Sequence, residues 1–593
     1  MDKEYGKDFI LTNKGIMKKE EDKEGQITWK YISRYIKIIN VEQSSESKDI
    51  SITIKYLYKG KYHEITINRE QLHHNDFMKL VGKGVDVYKK NVDNVLSFLR
   101  IQEEKDAPYN TVHNNLGWVL NDAGLVYKHD RLINSSGNNS NSNYKGSFNI
   151  TPKGSLKDYL ILMRNEVIGN VHLELALTLG FTAPVIGLLS TIMKIESLIF
   201  SIYGEAGTGK TTAVQLAISP FGEPTANGLL KNWGATKNAL ISLLRNNFGV
   251  PLALDEASMT EIKDLTSIIY MIAENKDKTR LDKNSDLKEQ QQWATTAITT
   301  AEHSLFQKTN QNTGLRMRMF EIGEVKWTSS AENSNRLKDG LFKNYGHAGI
   351  EFVQYLMKLG TEEVIERCNK WKREFEMILP ETELRDRVAA KYGLILATAE
   401  MVKESLGLDL HLEGITEILK HNEQQASLER DKATNVYNYI IGKIAQYKKN
   451  FMIDDKEITG HECWGKINFK DDKLEVTMFK HKLNDLLKEF NITEPNIVLN
   501  KWKEKGYLKA ENGKNTNRRK VITDEELRVK SGLQARPTGS KGVDVVYVIL
   551  VDKEKLEGFG VKENISDERI NSTFKARKFI TAIPHDDLDE LDI

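Results

Sequence analysis

Cysteine, net charge and long apolar runs are all scarce in this 593-residue chain, and each shortage removes a class of protein from consideration. The two cysteines, Cys368 and Cys463, have no cysteine or histidine neighbours at metal-ligand spacing. That excludes a zinc ribbon and a disulfide framework, and both residues read as free thiols. A formal net charge of +1 gives the molecule no long-range pull on nucleic acid, so any such binding must use local basic patches. No stretch of eighteen uncharged apolar residues is read; the longest candidate, 183–203, is broken by Lys194 and Glu196. The N-terminal segment MDKEYGKDFILTNKG is charged and has no apolar h-region, so neither a signal nor a transit peptide is expected. What remains, 39% apolar and 28% charged residues, fits a soluble globular protein without a membrane partner, resident in the cytoplasm.

A chain of this length exceeds one hydrophobic core, so several compact units are expected. β-Branched and aromatic residues alternate with polar ones in ITWKYISRYIKII and ISITIKYLYKGKYHEITI, which predicts strands with a turn at Lys59-Gly60. LGWVLNDAGLVYK predicts a second hairpin, turning between Asn121 and Gly124, and the run SSGNNSNSNYKG after it has loop composition. A β-rich N-terminal domain is therefore placed at 1–150. Apolar residues at helical spacing in 156–167 and 173–189 lead into the apolar strand SLIFSIY, which opens an ATPase domain at 151–430. Beyond Lys326 the pattern is helical to about Lys449, and Leu384, Val388, Tyr392, Ile395, Ala399 and Val402 share one face of its strongest helix, as in a helical lid. The remainder, 431–593, reads as a linker helix followed by helices at 477–490 and 496–505. A turn between two strands in GYLKAENGKNTNRRKVI completes an order that resembles a winged helix. The class is α/β.

The sharpest local signal is Gly204-Glu205-Ala206-Gly207-Thr208-Gly209-Lys210-Thr211, which matches G-x-x-x-x-G-K-[ST] between a predicted strand and the helical pattern TTAVQLAI. Its glycines let the loop curl so that backbone N–H groups face phosphates. Lys210 reaches the β/γ oxygens, the Thr211 hydroxyl ligates Mg²⁺, and Thr212 continues into the helix. Downstream, VPLALDEAS is an apolar strand ending in Asp255-Glu256: Asp255 is placed to hold Mg²⁺ and Glu256 to polarise the attacking water. A second apolar strand, WATTAITTAEHS, ends in Thr299 and Thr300, where an additional-strand ATPase carries a sensor; Thr300 is the candidate. Arg316 and Arg318 precede the next strand, in the place of an arginine finger. Arg385 and Arg387 stand in the lid helix as candidate second sensors, with Arg387 favoured. The implied cofactors are ATP and Mg²⁺.

Two basic segments are candidate DNA contacts. The polar insertion NKDKTRLDKNSDLKEQQQ, too long for a simple connection, reads as a hairpin whose Lys276, Lys278, Arg280, Lys283 and Lys288 can follow a phosphate backbone in a channel. In the C-terminal part, Lys514, Arg518, Arg519 and Lys520 fall where a wing would meet a duplex, near a turn at Asn512-Gly513.

Across roughly 25 to 410, the LGW of 116–118, the paired phosphate-loop and acidic motifs, WATTAITTAEHSL, the G-x-x-x-R from Gly314 to Arg318 and RVAAKYGLI resemble the domain-of-unknown-function 927 family. With its C-terminal part, the whole chain resembles the replicative helicases of staphylococcal cassette chromosome elements. The resemblance implies a hexameric, MCM-like AAA+ ATPase core that unwinds DNA for a mobile element, with single-stranded and forked DNA, further copies of itself and replication proteins of the element as partners. It also implies Arg318 as the finger and Arg387 as the lid arginine. One position departs from the family: Ala301 stands where a glycine precedes the acidic residue Glu302. The alternative reading is an AAA+ initiator or regulatory ATPase that binds duplex DNA without unwinding it. A primase-helicase fusion ranks lower, because the N-terminal region has no obvious cluster of metal-binding carboxylates.

Overall fold

The computed structural model describes residues 3–552 apart from 22–24, 122–123, 135–139, 280–289, 310–313, 454–457, 471–472, 491, 493, 512, 523, 531–532 and 536–541. The chain forms two compact units, Met1–Arg430 and Asp431–Ile593.

In the first unit the alternating N-terminal segments become the strands Ile27–Ser33, Ile36–Ser44, Ile50–Tyr58 and Lys61–Asn68, the last two joined by the tight turn at Lys59-Gly60. Ile36, Ile38, Ile52 and Ile54 are buried with Val95, Phe98 and Leu99 of the helix Val92–Asp106. Leu116–Asn121 and Gly124–Lys128 form the second hairpin. The polar run read as a loop holds a strand, Ser140–Tyr144, paired in parallel with Tyr109–His113. Its composition hid it, because a hydrogen bond of 2.8 Å between the buried His113 Nδ1 and Ser142 Oγ stands where apolar side chains would ordinarily meet.

Ile27–Ser33 is the edge strand of a separate four-stranded sheet, whereas the other strands belong to a nine-stranded sheet that also takes in Asn247–Phe248 from the ATPase region. Leu116, Trp118, Tyr127 and Ile150 share the ATPase core, whereas the residues before about 108 have a core of their own. Packing therefore divides near residue 108 rather than at the expected 150. Trp118 of the LGW segment helps fasten the seam: its Nε1 donates to the Pro184 carbonyl at 2.7 Å.

The ATPase region is built on a parallel sheet of β1 (Leu198–Tyr203), β2 (Leu230–Asn232), β3 (Leu252–Asp255), β4 (Thr296–Ala301) and β5 (Met319–Gly323), in the order β2-β3-β4-β1-β5. Parallel strands covered on both faces explain why β1 and β4 read as near-continuous apolar or small-residue runs. Against them pack α1 (Val171–Ser190) and α2 (Lys210–Ile218), with α3 (Ala331–Lys343) beside α2 and α4 (Arg385–Leu406) along α1. α1 is long and apolar enough to cross a membrane by length and composition, a segment the hydropathy reading passes over, but it is a core helix, 94% buried. Its Gly180 lies so close to α2 that an added Cβ would sit 1.7 Å from the Ala217 carbonyl oxygen. Its buried Glu174 is satisfied by the N–H groups of Gly169 and His411, at 2.7 and 2.6 Å.

The second unit is a five-stranded sheet of Phe451–Ile453, Gly465–Lys470, Lys473–Phe479, Asp544–Asp552 and Asn517–Arg519, in that order, with the helices Lys432–Gln446, Lys480–Glu489 and Pro495–Glu504. The helix expected from Thr477 starts at Lys480, because Leu474 to Phe479 are all buried in a strand paired on both sides. Trp502 anchors the unit from its core, donating through Nε1 to the Ala433 carbonyl at 2.7 Å.

Candidate nucleotide-binding site

The phosphate loop leaves the C-terminal end of β1 and enters α2 at Lys210. Gly209 is required there twice over: its φ is +86°, and a Cβ would lie 2.6 Å from Thr328 Oγ1 and 3.0 Å from the Thr328 nitrogen. The Trp327 N–H donates to the Thr208 carbonyl at 2.8 Å, so the segment after β5 closes over the loop. Lys210 Nζ donates to the carbonyls of Gly204 and Glu205 at 2.7 and 2.6 Å. Burial lowers its pKa, opposed by the carboxylates of Glu302 and Asp255.

Because β3 and β4 are neighbours, their C-terminal ends converge on the same place. Thr211 Oγ1 lies 3.5 Å from Asp255 Oδ1, Thr300 Oγ1 donates to the same carboxylate oxygen, and the Glu256 N–H donates to Thr300 Oγ1 at 3.0 Å. Glu256 has φ of +59°, a left-handed conformation uncommon outside glycine, and this bond helps hold it. The Glu302 N–H is fixed by Ser258 Oγ at 2.7 Å. The resulting cleft, about 420 Å³, is lined by Ala206, Gly207, Gly209, Lys210, Thr211 and Thr212 of the loop, by Asp255, Glu256 and Ser258, and by Thr300, Ala301 and Glu302. Gly204, Glu205 and Thr208 shape the loop without lining the cleft.

The remaining wall escaped the sequence reading. It consists of Thr328 and of Ala331, Ser334, Asn335 and Lys338 on α3, with Ser334 Oγ 2.7 Å from Thr212 Oγ1. Positions 331, 334, 335 and 338 repeat at helical spacing, the one available signal, but small and polar residues in that pattern read as a solvated face.

None of the four candidate arginines lines this cleft. Arg387 pairs with Glu196 at 3.3 Å, and Lys391 of the same helix donates to the Met317 carbonyl at 3.0 Å. Glu196 and Met317 precede β1 and β5, so the start of α4 lies at the edge of the sheet where the parallel strands begin. The cleft lies where they end, about 17 Å away at roughly 3.3 Å per residue. The lid arginine expected at the nucleotide is not there, because α4 packs along the buried α1 and not over the phosphate loop. Arg385 pairs with Glu381 at 3.5 Å. Arg318 lies over the Tyr270 ring at 4.5 Å, donates to the Gly314 carbonyl at 3.0 Å and pairs with Glu274 at 3.4 Å; Arg316 lies 4.5 Å over Phe306.

Of the insertion, Lys276 and Lys278 are exposed on either side of the buried Asp277, which pairs with Arg245 at 2.6 Å, and Lys276 bridges to Gln292. Arg280, Lys283 and Lys288 lie outside the described residues. In the second unit Lys514, Arg518 and Lys520 are exposed, whereas Arg519 turns back to Glu475 and Glu511, each at 3.2 Å, which occupies the charge expected on a duplex. Asn512 also lies outside the described residues. Cys368 and Cys463 are free thiols, pushed up to about 12 and about 11 by burial.

Residues 9–292 match the family described as domain of unknown function DUF927, and residues 431–554 match the Cch helix turn helix domain. The solved structure of SCCmec type IV Cch, an active helicase, is similar over 93% of this chain and 99% of that one, with 25% identity and a TM-score of 0.70. The apo A form of the NrS-1 C-terminal region, 12% identical over 65% of this chain and 91% of that one, has a TM-score of 0.22 and supports no argument. Among curated proteins none matches. Nearly the whole chain is thus similar to Cch, with a DUF927 region at 9–292 and a Cch helix turn helix domain at 431–554.

Proposed function

We propose that this protein is an ATP-dependent DNA helicase: an AAA+ motor, MCM-like and hexameric, that acts on single-stranded and forked DNA when a mobile element replicates in the cytoplasm. The observation that carries the reading is the cleft itself, in which a phosphate loop, Asp255, Glu256 and Thr300 meet at the ends of β1, β3 and β4 in a chain similar throughout to an active helicase.

Successive N–H groups of 204–209 and the Lys210 ammonium bind the phosphates of ATP, with the start of α2 behind them. Thr211 Oγ1 and Asp255, 3.5 Å apart, are hard oxygen donors that suit Mg²⁺ when it is shared with phosphate oxygens. Mg²⁺ bound there would neutralise charge on the β- and γ-phosphates. Glu256 accepts the proton of the attacking water, and Thr300, bonded to both Asp255 and the Glu256 backbone, keeps the two carboxylates in register. Arg318, away from its own chain's cleft, serves as the finger on a neighbouring subunit's nucleotide. Lys276 and Lys278 contact DNA in the channel, and Lys514, Arg518 and Lys520 bind duplex phosphates without reading bases.

Strand displacement on a forked duplex tests the proposal, with ATPase measured alongside. ATP-dependent displacement by the wild type and loss of both activities in Lys210→Ala are expected. Hydrolysis without displacement would favour the regulatory ATPase, and full turnover by Lys210→Ala would overturn the site.

A further inference from the structure

The cleft has a second lysine that neither the motif nor the lid arginine anticipates. Lys338 stands on α3, one turn beyond Ser334, which touches Thr212. Two residues earlier, Arg336 points elsewhere and is locked to Glu166 at 2.7 Å. Among the described residues Lys338 has no ion-pair partner. A lysine lining a cleft already recognised by its phosphate loop, and uncompensated by a carboxylate of its own, has a phosphate as its natural counterion.

We propose that Lys338 is a nucleotide-binding residue that contacts the phosphate chain from the α3 wall, at the end retained in ADP. The inference rests on the reading of the cleft as an ATP site. Its polarity follows from the other lining residues: Glu256 and Thr300, hydrogen-bonded to each other, are the groups assigned to the γ-phosphate, whereas Ser334 on α3 is bonded to Thr212, which follows Lys210 and Thr211 into α2. α3 therefore meets what remains after hydrolysis, and Lys338 contributes affinity for ATP and ADP alike instead of discriminating between them.

The test compares wild type, Lys338→Met and Lys338→Arg in the full chain, with fluorescent ATP and ADP titrations and steady-state ATPase. Lys338→Met keeps the length of the side chain and removes its charge. It should weaken both nucleotides by about tenfold, the scale of one charge-assisted contact, and raise KM with kcat within about twofold of wild type. Lys338→Arg should recover most of the affinity. Unchanged affinities for both nucleotides would make Lys338 a solvated rim residue. Selective loss of ATP binding, or a fall in kcat at unchanged KM, would put it at the γ end. Either outcome overturns the proposal. If the wild type binds neither nucleotide, the reading of the cleft has failed, which the wild-type titration shows separately from any effect of Lys338.

Discussion

The two edges of the parallel sheet use the same side chains to opposite ends. Where the strands finish, Lys210, Asp255, Glu256 and Glu302 are held by backbone and hydroxyl groups around an open cleft. Where they begin, Arg318, Arg387 and Lys391 are closed against Glu274 and Glu196 and against each other's backbone neighbours. Carboxylates beside cations do not identify a site by themselves. What distinguishes the first edge is that its charged groups are positioned by neutral partners and so stay available to a ligand, while those of the second neutralise one another. The sharpest way to break this comparison is Glu256→Gln, which keeps the side chain's size and removes the carboxylate proposed as the base. ATP binding should persist in a filter or fluorescence assay while turnover falls at least 10²-fold, the scale of general-base loss. Turnover near the wild-type rate would move the base elsewhere in the cleft.

At the opposite edge the expected effect is smaller in isolation and reveals the assembly. Arg318 is half closed by Tyr270 and Glu274 within its own chain, so a finger role requires those contacts to be exchanged for a neighbour's phosphate. Arg318→Ala should spare nucleotide binding and remove most hydrolysis. Mixing it with Lys210→Ala should restore part of the rate, since some interfaces then pair an intact cleft with an intact arginine. If Arg318→Ala lowers Tm and leaves kcat alone, the residue only fastens the loop before β5 to Tyr270.

Much of the cleft was legible because its chemistry is written in contiguous residues. The phosphate loop occupies eight consecutive positions, Asp255-Glu256 ends an apolar strand, and Thr300 ends another. Strand alternation likewise gave the N-terminal hairpins. What stayed hidden was decided by tertiary contact. Lys338 enters the cleft only because α3 packs beside α2, and Arg387 misses it only because α4 follows α1; neither helix carries a local mark of where its polar face will point. Ser140–Tyr144 escaped because its pairing uses polar side chains, and the core boundary near 108 because Trp118 and Tyr127 pack across the connection instead of within their own sheet.

Between the two edges, on β5, Glu321 offers the finest test of how they are joined. It accepts hydrogen bonds from Ser304 Oγ and, at 2.8 Å, from the Leu305 N–H, just beyond Glu302 at the exit of β4, and the Arg316 charge is near it. Burial outweighs these partners and pushes its carboxyl up to about 7, against 4.5 for a free one. The folded state therefore binds more protons than the unfolded state between those values, so stability falls as pH rises through the window, and the penalty is complete above about 7. Its full size is on the order of 3 kcal/mol, and it is absent below about pH 4.5, where both states are protonated. Glutamine accepts at the same place and does not titrate, so Glu321→Gln should have a flatter Tm profile than wild type between pH 5 and pH 8, whatever the fixed offset between the two curves. Binding of ATP should be unaffected, because Glu321 does not line the cleft. Parallel profiles would mean that Glu321 stays ionised throughout that range, with Ser304, Leu305 and Arg316 together outweighing its burial.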